Sequence, residues 1–158
     1  SQDIANTVWA YAALGHDAPG LFEAISKKAI EKLDTFSSQA MSNTVCAFAK
    51  LDHQAPDLFE AISRRAIKKL DLFSSQELAN TVWAYATLNH ESPNLFKAVS
   101  IIAIKKLDTF NSQELSNTVY AYAAMGHEAP DLFEAASKKT VNKLESFNSQ
   151  DMANTVWA

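Results

Sequence analysis

At 158 residues, 47% hydrophobic and 20% charged, the chain has the composition of an ordinary globular protein with enough apolar residues for a continuous core. One cysteine excludes an internal disulfide framework, and no apolar run approaches the roughly 18 residues that a membrane-spanning helix needs. A net charge of −4 at pH 7, from 14 basic and 18 acidic side chains, sets the chain apart from nucleic-acid-binding domains that use surplus positive charge to displace counterions.

Read from its start, the chain repeats itself. Asn6 is followed by Asn43, Asn80, Asn117 and Asn154 without slippage, and Gln2, Gln39, Gln76, Gln113 and Gln150 keep the same spacing. So do His16, His53, His90 and His127, and Pro19, Pro56, Pro93 and Pro130. Four 37-residue repeats span 1–37, 38–74, 75–111 and 112–148, and the first ten residues of a fifth follow. A fixed period of this length marks stacked units, each too small to bury its own apolar face. The phrase NTVWA at 6–10 returns at 154–158, so the expectation is one array cut from a longer one. Such an array presents a repeat face at each end and so offers end-to-end self-association.

The first predicted element of each repeat is an amphipathic helix. In the third repeat, at about 100° per residue, Leu78, Val82, Tyr85 and Ala86 share an apolar arc, with Gln76, Glu77, Asn80 and Thr87 opposite and Trp83 and Ala84 at the margins. Ser74 followed by Glu77 fits a capping box and starts the helix near residue 75. Asn89, equivalent to Gly15, Asp52 and Gly126, is a residue type that tolerates the left-handed conformation closing a helix. After a five-residue turn, Pro93 suits the first turn of a second helix, whose buried stripe is Leu95, Phe96, Val99, Ala103 and Leu107. A short turn such as LDTFNS then leads into the next repeat. The expected fold is all-α: a right-handed α-solenoid of helical hairpins, with the first helix of each hairpin on the inner surface.

The second helices order their charges by sign. Asp57 and Glu60 precede Arg64, Arg65, Lys68 and Lys69, and cations recur at Lys27, Lys28 and Lys32, at Lys105 and Lys106, and at Lys138, Lys139 and Lys143. Complementarity to the helix dipole explains this order, and stacking would align the same residues into a basic ridge. Catalysis is not expected, because every polar feature recurs in a ladder and none converges once. One histidine per repeat cannot converge on a shared metal, so neither a metal nor a cofactor is expected. His90 is instead expected to cap its helix against the turn. Cys46 takes the place held by Trp9, Trp83, Tyr120 and Trp157, and is expected to be a small buried residue and not a reactive thiol.

The informative feature is the polar stripe of the first helix. Asn6, Asn43, Asn80 and Asn117 recur unchanged beside Gln39, Gln76 and Gln113, while their neighbours vary: Ala13 becomes Lys50, Thr87 and Ala124, and Trp9 becomes Cys46 and Tyr120. Constant amides beside changing neighbours suit a surface that reads an extended polymer one unit per repeat. An amide can grip a base edge or a peptide backbone, and an adjacent aromatic can stack on a base. The same asparagines could instead bond from repeat to repeat, and Trp83 could belong to the core. Asp3, Glu77, Glu114 and Asp151 lie near this groove, where helix capping accounts for them. An extended peptide, held as in armadillo-type solenoids, is the alternative ligand, and a basic one would suit the acidic chain. A scaffold is a third reading, with Ile101 and Ile102, which replace a basic pair, forming an apolar patch for a protein partner.

The phrases SQELANTVWAYATLNH (75–90) and PDLFEAISRRAIKKL (56–70) resemble the octotricopeptide-type repeat, a helical-hairpin family of organellar RNA-binding proteins with relatives attached to RAP domains. The resemblance covers all 158 residues, since every whole repeat carries both phrases. It implies sequence-selective binding of single-stranded RNA along the inner groove, in a chloroplast or mitochondrion, for transcript stabilisation, processing or translation. On that reading Asn6, Asn43, Asn80 and Asn117 grip bases, Trp9, Trp83 and Tyr120 stack, and Lys50 and Thr87 select.

Overall fold

A computed structural model describes residues 2–142 and 148–157. The elements run α1 (Gln2–Ala13), α2 (Pro19–Lys32), α3 (Ser38–Lys50), α4 (Pro56–Ile67), α5 (Ser75–Thr87), α6 (Pro93–Lys105), α7 (Ser112–Ala124), α8 (Pro130–Asn142) and α9 (Ser149–Trp157), and the described residues hold no strand. Single 3₁₀ turns at Leu33–Thr35, Leu70–Leu72 and Leu107–Thr109 join one hairpin to the next. The architecture is the α-solenoid expected from the period. Lys143, counted above among the second-helix cations, lies outside the described residues.

Helix boundaries follow from local chemistry. The Ser74 hydroxyl accepts from the Glu77 backbone N–H while the Glu77 carboxylate accepts from that of Ser74, at 3.2 and 2.8 Å. Asn111 with Glu114 and Asn148 with Asp151 form the same reciprocal cap. At the other end, Gly15, Asp52, Asn89 and Gly126 all take positive φ, between 50° and 63°. The N–H of the following histidine then reaches back to close the helix, as in His90 N–H to the Tyr85 carbonyl at 2.9 Å. Each proline opens the second helix of its hairpin.

The odd-numbered helices pack closely along a row, and the even-numbered ones meet more sparingly. Residue size explains the difference. Ala47, Ala84 and Ala121, with Thr44, Thr81 and Thr118, are buried on the flanks of α3, α5 and α7 and let backbones approach, whereas the buried residues of α4 and α6 include the bulkier Phe59, Ile62, Phe96 and Val99. The first helices therefore lie on the concave side. A single apolar arc misses this: Ala84, placed at the margin by the helical wheel, is fully buried because a middle helix has a neighbour on each flank. Each buried threonine hydroxyl donates to the carbonyl four residues earlier in its own helix, so it enters the core satisfied.

Two rows of polar contacts tie neighbouring repeats. Along the first helices the earlier repeat donates forward: Ser42 to the Glu77 carbonyl at 3.2 Å, and Ser116 to the Asp151 carboxylate at 3.4 Å. Along the second helices the later repeat donates backward. Lys106 Nζ reaches the carbonyls of Asp71 and Phe73 at 2.7 and 2.6 Å, Lys69 that of Phe36 at 3.3 Å, and Lys139 that of Leu107. Arg65 bonds both the carbonyl and the carboxylate of Asp34, at 3.0 and 3.1 Å. These cations are therefore not an open ridge; they hold the 3₁₀ turn of the preceding repeat. Lys27, Arg64 and Lys138 instead pair along their own exposed helices with Glu23, Glu60 and Glu134.

Candidate functional site

The asparagine stripe lies along the concave row. Asn43, Asn80 and Asn117 are half-buried and Asn6 is exposed. No side-chain hydrogen bond runs from Asn43, Asn80 or Asn117 to another described residue, so the repeat-to-repeat ladder is absent there. Their carboxamide atoms are also not among the buried unsatisfied groups, which means that they open to solvent. Only toward the ends does the stripe satisfy itself, with Gln2 donating to Asn6 at 3.0 Å and Gln150 to Asn154 at 2.9 Å. Gln39, Gln76 and Gln113 are exposed and make no such bond.

The aromatic neighbours differ from one another. Trp9 is 37% exposed, and the Lys50 ammonium sits 4.0 Å from the centre of its ring. Trp83 is half-buried against the core. Tyr120 meets the ring of Trp157 at 4.9 Å, tilted by 39°. Cys46 is buried, its thiol lies 3.3 Å from the Asn80 carbonyl oxygen, and burial pushes its pKa up to about 12. It is a packing residue with little thiolate, as its place in the pattern suggested. Lys50 and Thr87, at the ends of α3 and α5, are both exposed.

Three of the four carboxylates near the groove are taken up as caps, while Asp3 is exposed and its carboxylate makes no such bond to a described residue. Glu77 and Glu114 are engaged in capping boxes, and Asp151 also accepts from the Ser116 hydroxyl at 3.4 Å. The histidines stand apart from the stripe, where His53, His90 and His127 pack beside aromatic pairs that cross the repeat boundary: Phe22 and Phe48, Phe59 and Tyr85, and Phe96 and Tyr122. Burial lowers the pKa of His90, in keeping with a neutral packing role. No group of three or more His, Cys, Asp or Glu side chains placed to hold a metal occurs among the described residues. Of the apolar pair on α6, Ile102 is buried and Ile101 is half-exposed, so the two do not form the surface patch expected of them.

Sequence reasoning missed the crossing tyrosines. Tyr85 and Tyr122 donate their hydroxyls to the carbonyls of Phe59 and Phe96 at 2.7 and 2.6 Å. The alternation of Tyr11, Phe48, Tyr85 and Tyr122 was the available signal, because a buried phenol needs a partner that phenylalanine does not.

No helix among the described residues is long and apolar enough to cross a membrane. A comparison with curated proteins gives no match. A family model, that of the RNA-editing substrate-binding complex 6 protein, matches residues 1–158. With the whole length matched, the chain belongs to the RNA-editing substrate-binding complex 6 protein family.

Proposed function

We propose that the concave row binds single-stranded RNA, with Asn6, Asn43, Asn80 and Asn117 gripping bases, Trp9, Trp83 and Tyr120 offering stacking faces, and Lys50 and Thr87 varying the contact from repeat to repeat. One observation carries this reading: in the interior repeats the recurrent carboxamides are half-buried but bonded to no other described residue. A recurrent amide left without an internal partner in the interior repeats fits a ligand that supplies the partner. Family membership supports RNA as that ligand and an RNA-editing assembly as the setting. The octotricopeptide likeness points to an organelle, and an RNA-editing family is compatible with the mitochondrion but lends no support to the chloroplast. The role is non-catalytic: the segment holds an RNA for other components.

The test is fluorescence anisotropy with a randomised single-stranded RNA pool and a basic peptide pool as competitor. Saturable RNA binding that weakens by about tenfold in Asn80→Ala/Asn117→Ala is expected, the loss of roughly 1 kcal/mol or less per amide contact. Peptide binding without RNA binding would replace this reading with the armadillo-like one.

A further inference from the structure

Resting on the RNA reading, we infer that each recognition unit is assembled across a repeat boundary: the aromatic of one repeat works with the asparagine and the variable residue of the next. Three contacts point the same way. Lys50 lies over Trp9 of the preceding repeat at 4.0 Å, the Cys46 thiol touches the Asn80 backbone at 3.3 Å, and the Tyr120 ring meets that of Trp157 at 4.9 Å. In each case the residue at the Trp9 place leans on the first helix of the following repeat. Trp9 therefore belongs with Asn43 and Lys50, and Trp83 with Asn117 and Ala124. A register drawn within single repeats would pair Trp83 with Thr87 instead.

Lys50 thereby gains a defined role as a specificity-determining residue. In the free protein its ammonium covers one face of the Trp9 indole, an attraction between a cation and the ring's negative face. A base stacking on that face displaces the ammonium, which then turns to the adjacent phosphate. The unit after it has no such platform, because its aromatic is replaced by the buried Cys46. Stacking is therefore interrupted between the first and third units, and the RNA is held at separated points.

A double-mutant cycle on RNA affinity decides the register, with circular dichroism confirming that each variant stays helical. A contact that RNA leaves untouched cancels from such a cycle, while one remade on binding appears as coupling. Trp9→Ala and Lys50→Gln are expected to couple, the double variant departing at least about threefold from the product of the single effects. Trp83→Ala and Thr87→Ala are expected to multiply simply. Lys50→Gln alone is expected to flatten the dependence of log K on log salt by about 0.7, one phosphate contact on a single strand. Simple multiplication at Trp9 and Lys50, or coupling between Trp83 and Thr87, overturns the register while leaving RNA binding in place. Absence of RNA binding by the unaltered chain overturns the RNA reading and the register together.

Discussion

Tyr85 and Tyr122 show how much one atom contributes at a repeat boundary. Each hydroxyl crosses to a helix carbonyl in the preceding hairpin and is shielded from solvent, which raises the phenol pKa by burial. Phe48 occupies the equivalent place one repeat earlier, packing edge-on to Phe22, so the fold accommodates the ring without the hydroxyl. Tyr85→Phe is accordingly expected to lower stability by about 1 kcal/mol in urea unfolding, the net worth of one buried hydrogen bond, without unfolding the array. Both outcomes at the neighbouring stripe follow from the same burial logic. Cys46, small and lodged against the Asn80 backbone, turned out to be the packing residue that its place among aromatics suggested. Trp9 and Trp83 sit at the edge of the core, one more exposed than the other, as the margin of an apolar arc implies.

The helices were legible because each carries its own punctuation. The Ser74 to Glu77 cap, the left-handed Asn89 and the helix-opening Pro93 are local signals that place the starts of α5 and α6, whereas Leu107, expected in the buried stripe of the second helix, falls in the 3₁₀ turn beyond α6 and is only half-buried. What lay between helices was not legible. The order of charges along α4 reads as complementarity to its own dipole, yet Arg65 and Lys69 bond carbonyls more than thirty residues earlier. Nothing in a single helix encodes that reach; only the stacking distance does. Lys106→Met tests the point. Losing the Asp71 and Phe73 carbonyl contacts should destabilise the array by about 2 kcal/mol, the worth of hydrogen bonds to a charged donor, while leaving RNA affinity within twofold because the clamp lies on the convex side. The free asparagines were equally beyond sequence alone, since a recurrent amide reads the same whether it bonds its neighbour or waits for a ligand.

For the molecule as a whole, the balance of −4 speaks against RNA, and the arrangement of charges resolves much of the conflict. Glu77, Glu114 and Asp151 are taken up as helix caps. Along the stripe, Lys50 is the one cation among the Gln, Asn, aromatic and variable places of the five helices. Binding should therefore rest on stacking and amide contacts, and its slope of log K against log salt should be no steeper than about −2, the mark of fewer than three phosphate contacts on a single strand. A steeper slope, measured by anisotropy from low to physiological salt, would move the RNA path toward the lysines of the convex side.

The opposed rows of ties give the array a mechanical character. On the concave rim neighbours are held by neutral hydroxyl donors at 3.2 and 3.4 Å, whereas the convex rim is pinned by charged lysine contacts as short as 2.6 Å. The closely packed first helices resist separation, and the sparser row of second helices depends on its lysine clamps to stay in register. The asparagines ride on the row that packs most closely, so their spacing is set by the fold and a strand must fit it.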